Sequence, residues 1–599
     1  MIRPQRNAAR DAVDLSGLWR IRFDPADEGD AQGWAAGVEG GHAIAVPGSW
    51  NEQLAEVGAM TYVGAAWLQT DIFIPLHAAG RRVSLRFGSA DYHARVFVDG
   101  RLRGASAAAH LPFDIVLDDA APGTTARLVV CVDNRLPPDS PTPPIAKTDY
   151  VAEGRLKDEY LPAVRFDFYP YGGLARPVHL MIAPQCGFDA VAVETRIEGD
   201  AGLIDVSCVG RLAAATRIEA VLTLPDGRAV QVECAPNETS AHLVVRATGC
   251  PVWSPDNPVL LPLRLLARAL DGALLDQVDL RIGVREIAIA DGALMLNGAP
   301  LTLRGFGKHE DSAIRGRGLD LPLLVKDLAL LKWLGANSVR TAHYPYAEEF
   351  YDACDEAGVL VIGEAFAVNL DFRRTTEQTL VRHKQAVTQM IARDRNHPCV
   401  IAWSLANEPG YLGEEAYAGS GPYWRALYAH ARALDPSRPL THAHVAYAGP
   451  DDPAFAEDDF ISINRYYGWY THPAQLEVAA AALTADIDDL SGRFGKPVFV
   501  SEFGADALAG EHAAYPQLFA EEYQADLIEA YWRAIAAHPA AIGGHVWCFA
   551  DFRTAQHGRR VVLNLKGVLT RDRRPKAAAF RVRALWARRA AGEDGSPWR

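Results

Sequence analysis

NSVRTAHYPYAEEFYDACDEAGVLVIGEA, residues Asn337 to Ala365, decides the fold. It opens on a short apolar strand, NSVRT (337–341), and closes on another, VLVIGEA (359–365). Between them EEFYDACDEAG (348–358) places its apolar residues at helical spacing and ends on a glycine. Strand, amphipathic helix and strand in so few residues make a βαβ unit with parallel strands.

The same alternation extends in both directions. Before it lie LTLRGF (301–306) and the helical LPLLVKDLALLKWLG (321–335). After it come TLVRHKQAVTQMIARD (379–394) and the strands VIAWSLAN (400–407), PLTHAH (439–444), FISIN (460–464), PVFVSEF (497–503) and GGHVWCF (543–549). Eight units in roughly 300 residues predict a (β/α)₈ TIM barrel over 286–599.

Upstream the period shortens to two. VSLRFGSADYHARVFVDG (83–100) alternates apolar and polar residues and ends in an Asp-Gly turn, ARLVVCVDN (126–134) is a further strand, and LPPDSPTPP (136–144) is a proline-rich loop. These predict an N-terminal β-sandwich over 1–182. From 183 to 285 about seven short strands follow, with turns at Asp226-Gly227 and Asp271-Gly272, the size of an immunoglobulin-like β-sandwich.

Barrel chemistry sits at the C-terminal ends of the strands. Reading those ends in order gives His309 and Glu310, His343 and Tyr344, Glu364, Asn407 and Glu408, His442 and His444, Asn464 with Tyr466 and Tyr470, Glu502, and finally Trp547 and Asp551. Carboxyl groups, imidazoles, amides and aromatic rings around one mouth suit a sugar. Rings stack on the apolar face of a pyranose, and two carboxyl groups flanking a glycosidic bond act as acid and nucleophile. A single strand-end glutamate is as readily an ion-pair partner at a loop base; Glu408 and Glu502 at the ends of strands four and seven form a pair.

Composition limits the alternatives. The chain holds 74 acidic against 60 basic residues, a net charge of −14, unlike a nucleic-acid binder with a basic stripe. No apolar run reaches membrane-spanning length, and the N-terminal MIRPQRNAARDAVDLSGLW lacks the apolar core of a secretory signal. The eight cysteines are scattered, with no zinc spacing. A reduced, cytoplasmic setting is expected, with no metal, no cofactor and no membrane or nucleic-acid partner. His442 and His444 are suitable metal ligands, but no third ligand follows at a recognisable spacing.

WSLANEP (403–409) and SEFG (501–504) closely resemble glycoside hydrolase family 2. DLSGLWRIRFD (14–24), VPGSWNEQ (46–53) and DFYPYGGLAR (167–176) resemble that family's jelly-roll domain, and RGFGKHEDSAIRGRGLD (304–320) and VRTAHYPYAEEFYDACDEAGVLVIGEA (339–365) its barrel, so the resemblance covers nearly the whole chain. It implies that Glu408 is the general acid/base and Glu502 the nucleophile of a retaining hydrolase, and that the protein is a homo-oligomer, a tetramer. Within the family NRYYGWY (464–470), SEFGADALAG (501–510) and NLKGVLTRDRRPKAAAF (564–580) are most similar to β-glucuronidases.

That resemblance assigns Asn564 and Lys566, with Tyr470 and Arg560, to the C6 carboxylate of the sugar. A carboxylate in a dry pocket needs such a charge-assisted partner. It further implies Asn407 on the 2-hydroxyl, Tyr466 on the nucleophile or ring oxygen, Trp547 under the sugar, Asp167 reaching in from the jelly-roll domain, and His343 orienting a carboxylate or the sugar. The substrates implied are small glucuronide conjugates or oligosaccharides ending in glucuronic acid. Three departures stand out. VNLDFRRTTEQTLVRHK (368–384) enters a helix directly, where some glucuronidases carry a long loop over the pocket, so a more open mouth is expected; AAAHLPFD (107–114) lacks the usual glycines; and HAHVAYAG (442–449) is unusual for the family. The rival readings are β-galacturonidase or β-galactosidase on the same fold, and a carbohydrate-binding protein without activity.

Overall fold

The computed structural model describes residues 2–117, 119–145, 164–410, 419–449, 451–556 and 560–590. Its C-terminal half is a closed barrel of eight parallel strands: Leu303–Lys308, Ser338–Thr341, Leu360–Glu364, Val400–Asn407, Leu440–His444, Ile461–Asn464, Val498–Phe503 and Ala541–Trp547. Strand one pairs with strand eight from Leu303–Gly543 to Gly307–Trp547, which closes the ring. Strand four is buried along its whole length, as expected where a helix layer covers one face and the barrel interior the other.

The helices follow from local sequence. Leu321–Leu334 starts where the Asp320 side chain accepts a hydrogen bond from the Leu323 amide at 3.2 Å, has Pro322 in its first turn, and stops at Gly335 with φ 79°. After strand three the helix Glu377–Asp394 begins on a Thr376 cap, with no long loop before it. The fifth unit departs from the expected pattern. Among the described residues only a short 3₁₀ turn, Pro453–Ala456, separates strands five and six. Pro453 opens that turn, and the segment is occupied in holding buried histidines.

The N-terminal region is a sandwich of a six-stranded and a four-stranded sheet. Its first strand, Asp11–Asp14, pairs antiparallel with its last, Val178–Ala183, so the chain closes the domain where it leaves it. Seven strands from Gly187 to Ile282 then form a second sandwich of three and four strands. Each sandwich has its own apolar core.

The first sandwich also builds the barrel mouth. Val164, Phe166 and Phe168 leave their own domain and join the barrel core, and the Phe168 ring lies 5.2 Å from that of His309. Arg176 bridges to Glu310 at 2.7 Å, and Val368 just past strand three donates to Thr142 of the proline-rich loop at 3.3 Å. The glycine-poor 107–114 stretch packs here too: His110, held at φ 63°, stacks on Tyr344 at 4.5 Å. No helix among the described residues is long and apolar enough to cross a membrane.

Candidate active site

Glu408 follows strand four directly. Its amide donates to the Ala443 carbonyl on strand five at 2.8 Å, and its backbone sits in the left-handed region at φ 46°, a conformation that costs a non-glycine residue energy and concentrates at functional sites. The carboxyl accepts from Asn464 Nδ2 at 2.9 Å. Ser501 Oγ donates to Asn464 Oδ1 at 2.8 Å, fixing which way that amide points.

Glu502, on strand seven, is held from two sides. The Tyr466 hydroxyl donates to Oε2 at 2.6 Å, and the Arg340 guanidinium donates to Oε1. The other arm of Arg340 lies on both oxygens of Glu364, at 2.8 and 2.7 Å. Glu364 also meets His343 Nδ1 at 2.8 Å and the Ser404 hydroxyl at 2.8 Å. His343 stacks on Trp547 with centroids 5.0 Å apart. Strand one leaves room for that indole because it carries Gly307, where a Cβ would stand 2.5 Å from the ring.

Two carboxyl groups, Glu502 and Glu364, thus share one guanidinium. Burial drives Glu502 and Glu364 above the ordinary carboxyl range, and Arg340 pulls both back. Among the described residues Glu408 has no cation bonded to it. Burial, then the neighbouring Glu502, push it up to about 8, which Asn464 and Arg340 only moderate. Two carboxyl groups with unequal support for their charge, one bonded to a guanidinium and one not, suit the separate roles of acid and nucleophile.

A second group of charges adjoins the pair. Lys566 Nζ lies 2.5 Å from Asp506 Oδ2 and 5.0 Å from the centroid of the Tyr470 ring. Arg560 donates to both oxygens of Asp167, at 3.0 and 2.7 Å, and approaches the Tyr470 hydroxyl at 3.4 Å. Asn564 donates to Asp167 at 2.6 Å. Lys576, fully buried, ties Asp551 to the backbone carbonyls of Ala507 and Leu565.

The residues singled out in the sequence therefore meet in one place. Glu408, Glu502, Asn407, His343, Tyr466 and Trp547 cluster at the barrel mouth, with Arg340 also reaching Asn407 Oδ1 at 3.4 Å. Asp167, Tyr470, Arg560, Asn564 and Lys566 form the adjoining group. Tyr466 lies on Glu502. Trp547 is only 3% exposed and carries His343 on its face, so in this state it supports His343 and offers little open surface for a sugar. Arg340, Glu364, Asn464 and Asp506 belong to the site without having been assigned roles. Arg340 had a signal, a lone charge in the buried strand SVRT.

Strand five corrects the sequence reading. Its side chains alternate: His442 turns to the helix Gly421–Leu434, and His444 stacks on Phe455 of the Pro453–Ala456 turn, while the Ala443 carbonyl accepts from the Glu408 amide. His442 stacks on Trp424 at 4.5 Å and pairs with the Tyr428 hydroxyl at 2.9 Å. A third potential metal ligand does exist in space, since donor atoms of His442, His444 and Asp452 lie within 4.8 Å of one another. Both nitrogens of His444 are already engaged, with Asp452 at 3.1 Å and Asp458 at 2.8 Å, so the cluster is internally bonded.

Compared with known proteins, residues 287–590 match the profile described as glycosyl hydrolases family 2, TIM barrel domain, and residues 13–184 match the same family's sugar binding domain. The chain is 36% identical over 602 residues to a β-glucuronidase of Paenibacillus borealis, covering 98% of each. It is 33% identical over 610 residues to a β-glucuronidase of Homo sapiens, covering 97% of this chain and 92% of that one. The solved structure of Ruminococcus gnavus β-glucuronidase in complex with D-glucuronic acid superposes with a TM-score of 0.89 at 32% identity, covering 98% of this chain and 99% of that one.

Proposed function

The chain belongs to glycoside hydrolase family 2, whose members hydrolyse O-glycosidic bonds, and from that membership and the geometry of its barrel mouth we propose that it is a retaining, exo-acting β-glucuronidase. The observation that carries the reading is the adjacency of two groups: the unequal pair Glu408 and Glu502, and the buried Lys566 and half-buried Arg560 beside it.

In this reading Glu502 Oε attacks the anomeric carbon as the bond to the aglycone oxygen breaks. Glu408 gives that oxygen its proton, leaving a glycosyl ester on Glu502. Water then enters, loses a proton to Glu408 and attacks the same carbon, so Glu502 departs as carboxylate and the β configuration returns. Arg340 and Tyr466 favour the ionised form of Glu502 against its burial and orient it before attack. Once Glu502 is an ester, its charge no longer raises the Glu408 pKa, and Glu408 becomes a better base.

Lys566 and Asn564, with Arg560, take the C6 carboxylate. Lys566 and Asn564 are buried, a closed end of the cleft that suits a terminal sugar and supports exo action. The eight unpaired cysteines fit the reducing interior of a cell. The substrates are β-D-glucuronide conjugates or chains ending in that sugar.

The test is hydrolysis of matched aryl β-D-glycosides: glucuronide, galacturonide, galactoside, glucoside and mannoside, with the first anomer released identified by proton NMR. Preference for the glucuronide with initial release of the β anomer is expected. A faster galacturonide would keep the carboxylate clamp and reassign the C4 preference; a faster neutral sugar would overturn the clamp; initial release of the α anomer would overturn retention.

A further inference from the structure

Lys566 is 1% exposed, and its only anionic partner among the described residues is Asp506. A buried ammonium without such a partner is strongly destabilising. Asp506 does more than neutralise it. One carboxylate oxygen takes the ammonium at 2.5 Å, while the other accepts the amide of Leu565 at 2.9 Å. The Ala507 amide adds a bond to the Leu565 carbonyl at 3.0 Å. The Asn564–Lys566 turn is therefore laid along the chain that leaves strand seven, and Asp506 lies only four residues past Glu502. Any displacement of Asp506 moves Lys566 relative to the nucleophile.

The charge count points the same way. Lys566 and Arg560 are opposed by Asp506 and Asp167, with Arg560 NH1 3.6 Å from Asp506 and NH2 2.7 Å from Asp167. Without sugar the four charges cancel, so the group is no general trap for small anions. An ammonium has three N–H donors. With one fixed on Asp506, the directions of the other two are set for an incoming acceptor.

We propose that Asp506 is the positioning residue for uronate specificity, aiming the Lys566 ammonium and fixing the Asn564–Lys566 turn to the nucleophile strand. This rests on the glucuronide reading of the site. At metal centres, removing the outer partner that orients a ligand typically costs about 10–100-fold, and the same scale is expected for a carboxylate that orients an ammonium.

The experiment measures kcat and KM on an aryl β-D-glucuronide and the matched β-D-glucoside for wild type, Asp506→Asn, Asp506→Glu, Lys566→Met and the double variant Asp506→Asn/Lys566→Met. In Asp506→Asn the glucuronide-to-glucoside ratio of kcat/KM should fall about 10–100-fold, mainly through a raised KM for the glucuronide. Asp506→Glu, which keeps the charge and shifts it by one methylene, should lie between wild type and Asn. With Lys566 already replaced, adding Asp506→Asn should change the ratio by less than about threefold, since the two residues act as a unit.

Equal losses on both sugars, or independent losses in the double variant, would make Asp506 a scaffold residue and overturn the proposal. If Asp506→Asn fails to fold, Asp506→Glu decides, and an unchanged ratio there overturns it. If wild type itself prefers the glucoside, the uronate reading fails and this proposal with it. If wild type prefers the glucuronide and the Asp506 variants keep that preference, only the role of Asp506 falls.

Discussion

Two buried clusters of histidines and carboxyl groups lie on either side of strand five, and their difference separates chemistry from architecture. Inside the barrel, Glu502 and Glu364 share Arg340, and Glu408, bonded instead to Asn464, is pushed up to about 8. Outside, His444 sits between Asp452 and Asp458. Burial alone would strip its proton; Asp458 and Asp452 reverse that and bring it up to about 8. The two groups reach similar values for opposite reasons. His444 holds its proton because it has partners, Glu408 because ionising there would be unsupported. The first arrangement stabilises the fold. The second is tolerated by the fold because a proton donor is needed.

The sharpest way to break the comparison is by rate. Glu502→Ala removes the proposed nucleophile, and turnover of an aryl glucuronide should fall by at least about a thousandfold. His444→Gln touches neither reacting atom and should cost less than about fivefold in kcat at constant fold content, measured by circular dichroism alongside the assay. Comparable losses in the two variants would place the outer cluster in the catalytic machinery, through the Ala443 carbonyl that holds Glu408.

The same contrast explains what the sequence made legible. Barrel strands are near-continuous apolar runs, so their number and ends could be read directly, and with them Glu408 and Glu502. Depth was harder to read. His442 and His444 stand at a strand end and resemble site residues by position; only the alternation of a short strand turns them outward, and LTHAH is too short and too uniformly buried for a polarity pattern to show it. Arg340 was readable as a charge inside a buried strand. Asp506 and Asn464 lay in runs that had been singled out, but their partners are 60 and 56 residues away in the chain, and no spacing rule reports such a contact. The missing fifth helix was hidden because a proline-bearing loop and a short helix leave similar polar signatures.

A finer test uses pH. Glu408 must be protonated to act as the acid, so kcat/KM should fall as pH rises through about 8. Asn464 donates to the Glu408 carboxyl and so favours its ionised form. Removing that donor in Asn464→Ala should raise the Glu408 pKa and carry the alkaline limb upward by about one unit, the worth of a hydrogen bond to a charged acceptor. A limb that moves down would mean that Asn464 acts on Glu408 in some way other than as a donor. A limb that stays fixed would assign the alkaline titration to another group.

The smallest effect bears most directly on the contrast. For both groups the folded pKa exceeds the unfolded one, so both make stability fall as pH rises. For His444 the window runs from about 6.5, the unfolded value, to about 8. Its contribution is fully present below that window and is withdrawn across it, about 2 kcal/mol in all. For Glu408 the window opens near 4.5 and closes near 8, and what grows across it is a penalty, because the unfolded chain ionises freely and the folded one does not. At pH 6.5, therefore, His444→Gln should lower the urea midpoint and make the slope between pH 6.5 and 8 shallower, leaving the part that Glu408 contributes. Glu408→Gln, which keeps the shape and removes the need to ionise, should raise the midpoint while abolishing acid catalysis. Two shifts of the same sign would mean that the clusters differ in location only, and that the proton-donor chemistry of Glu408 is not held at the expense of stability.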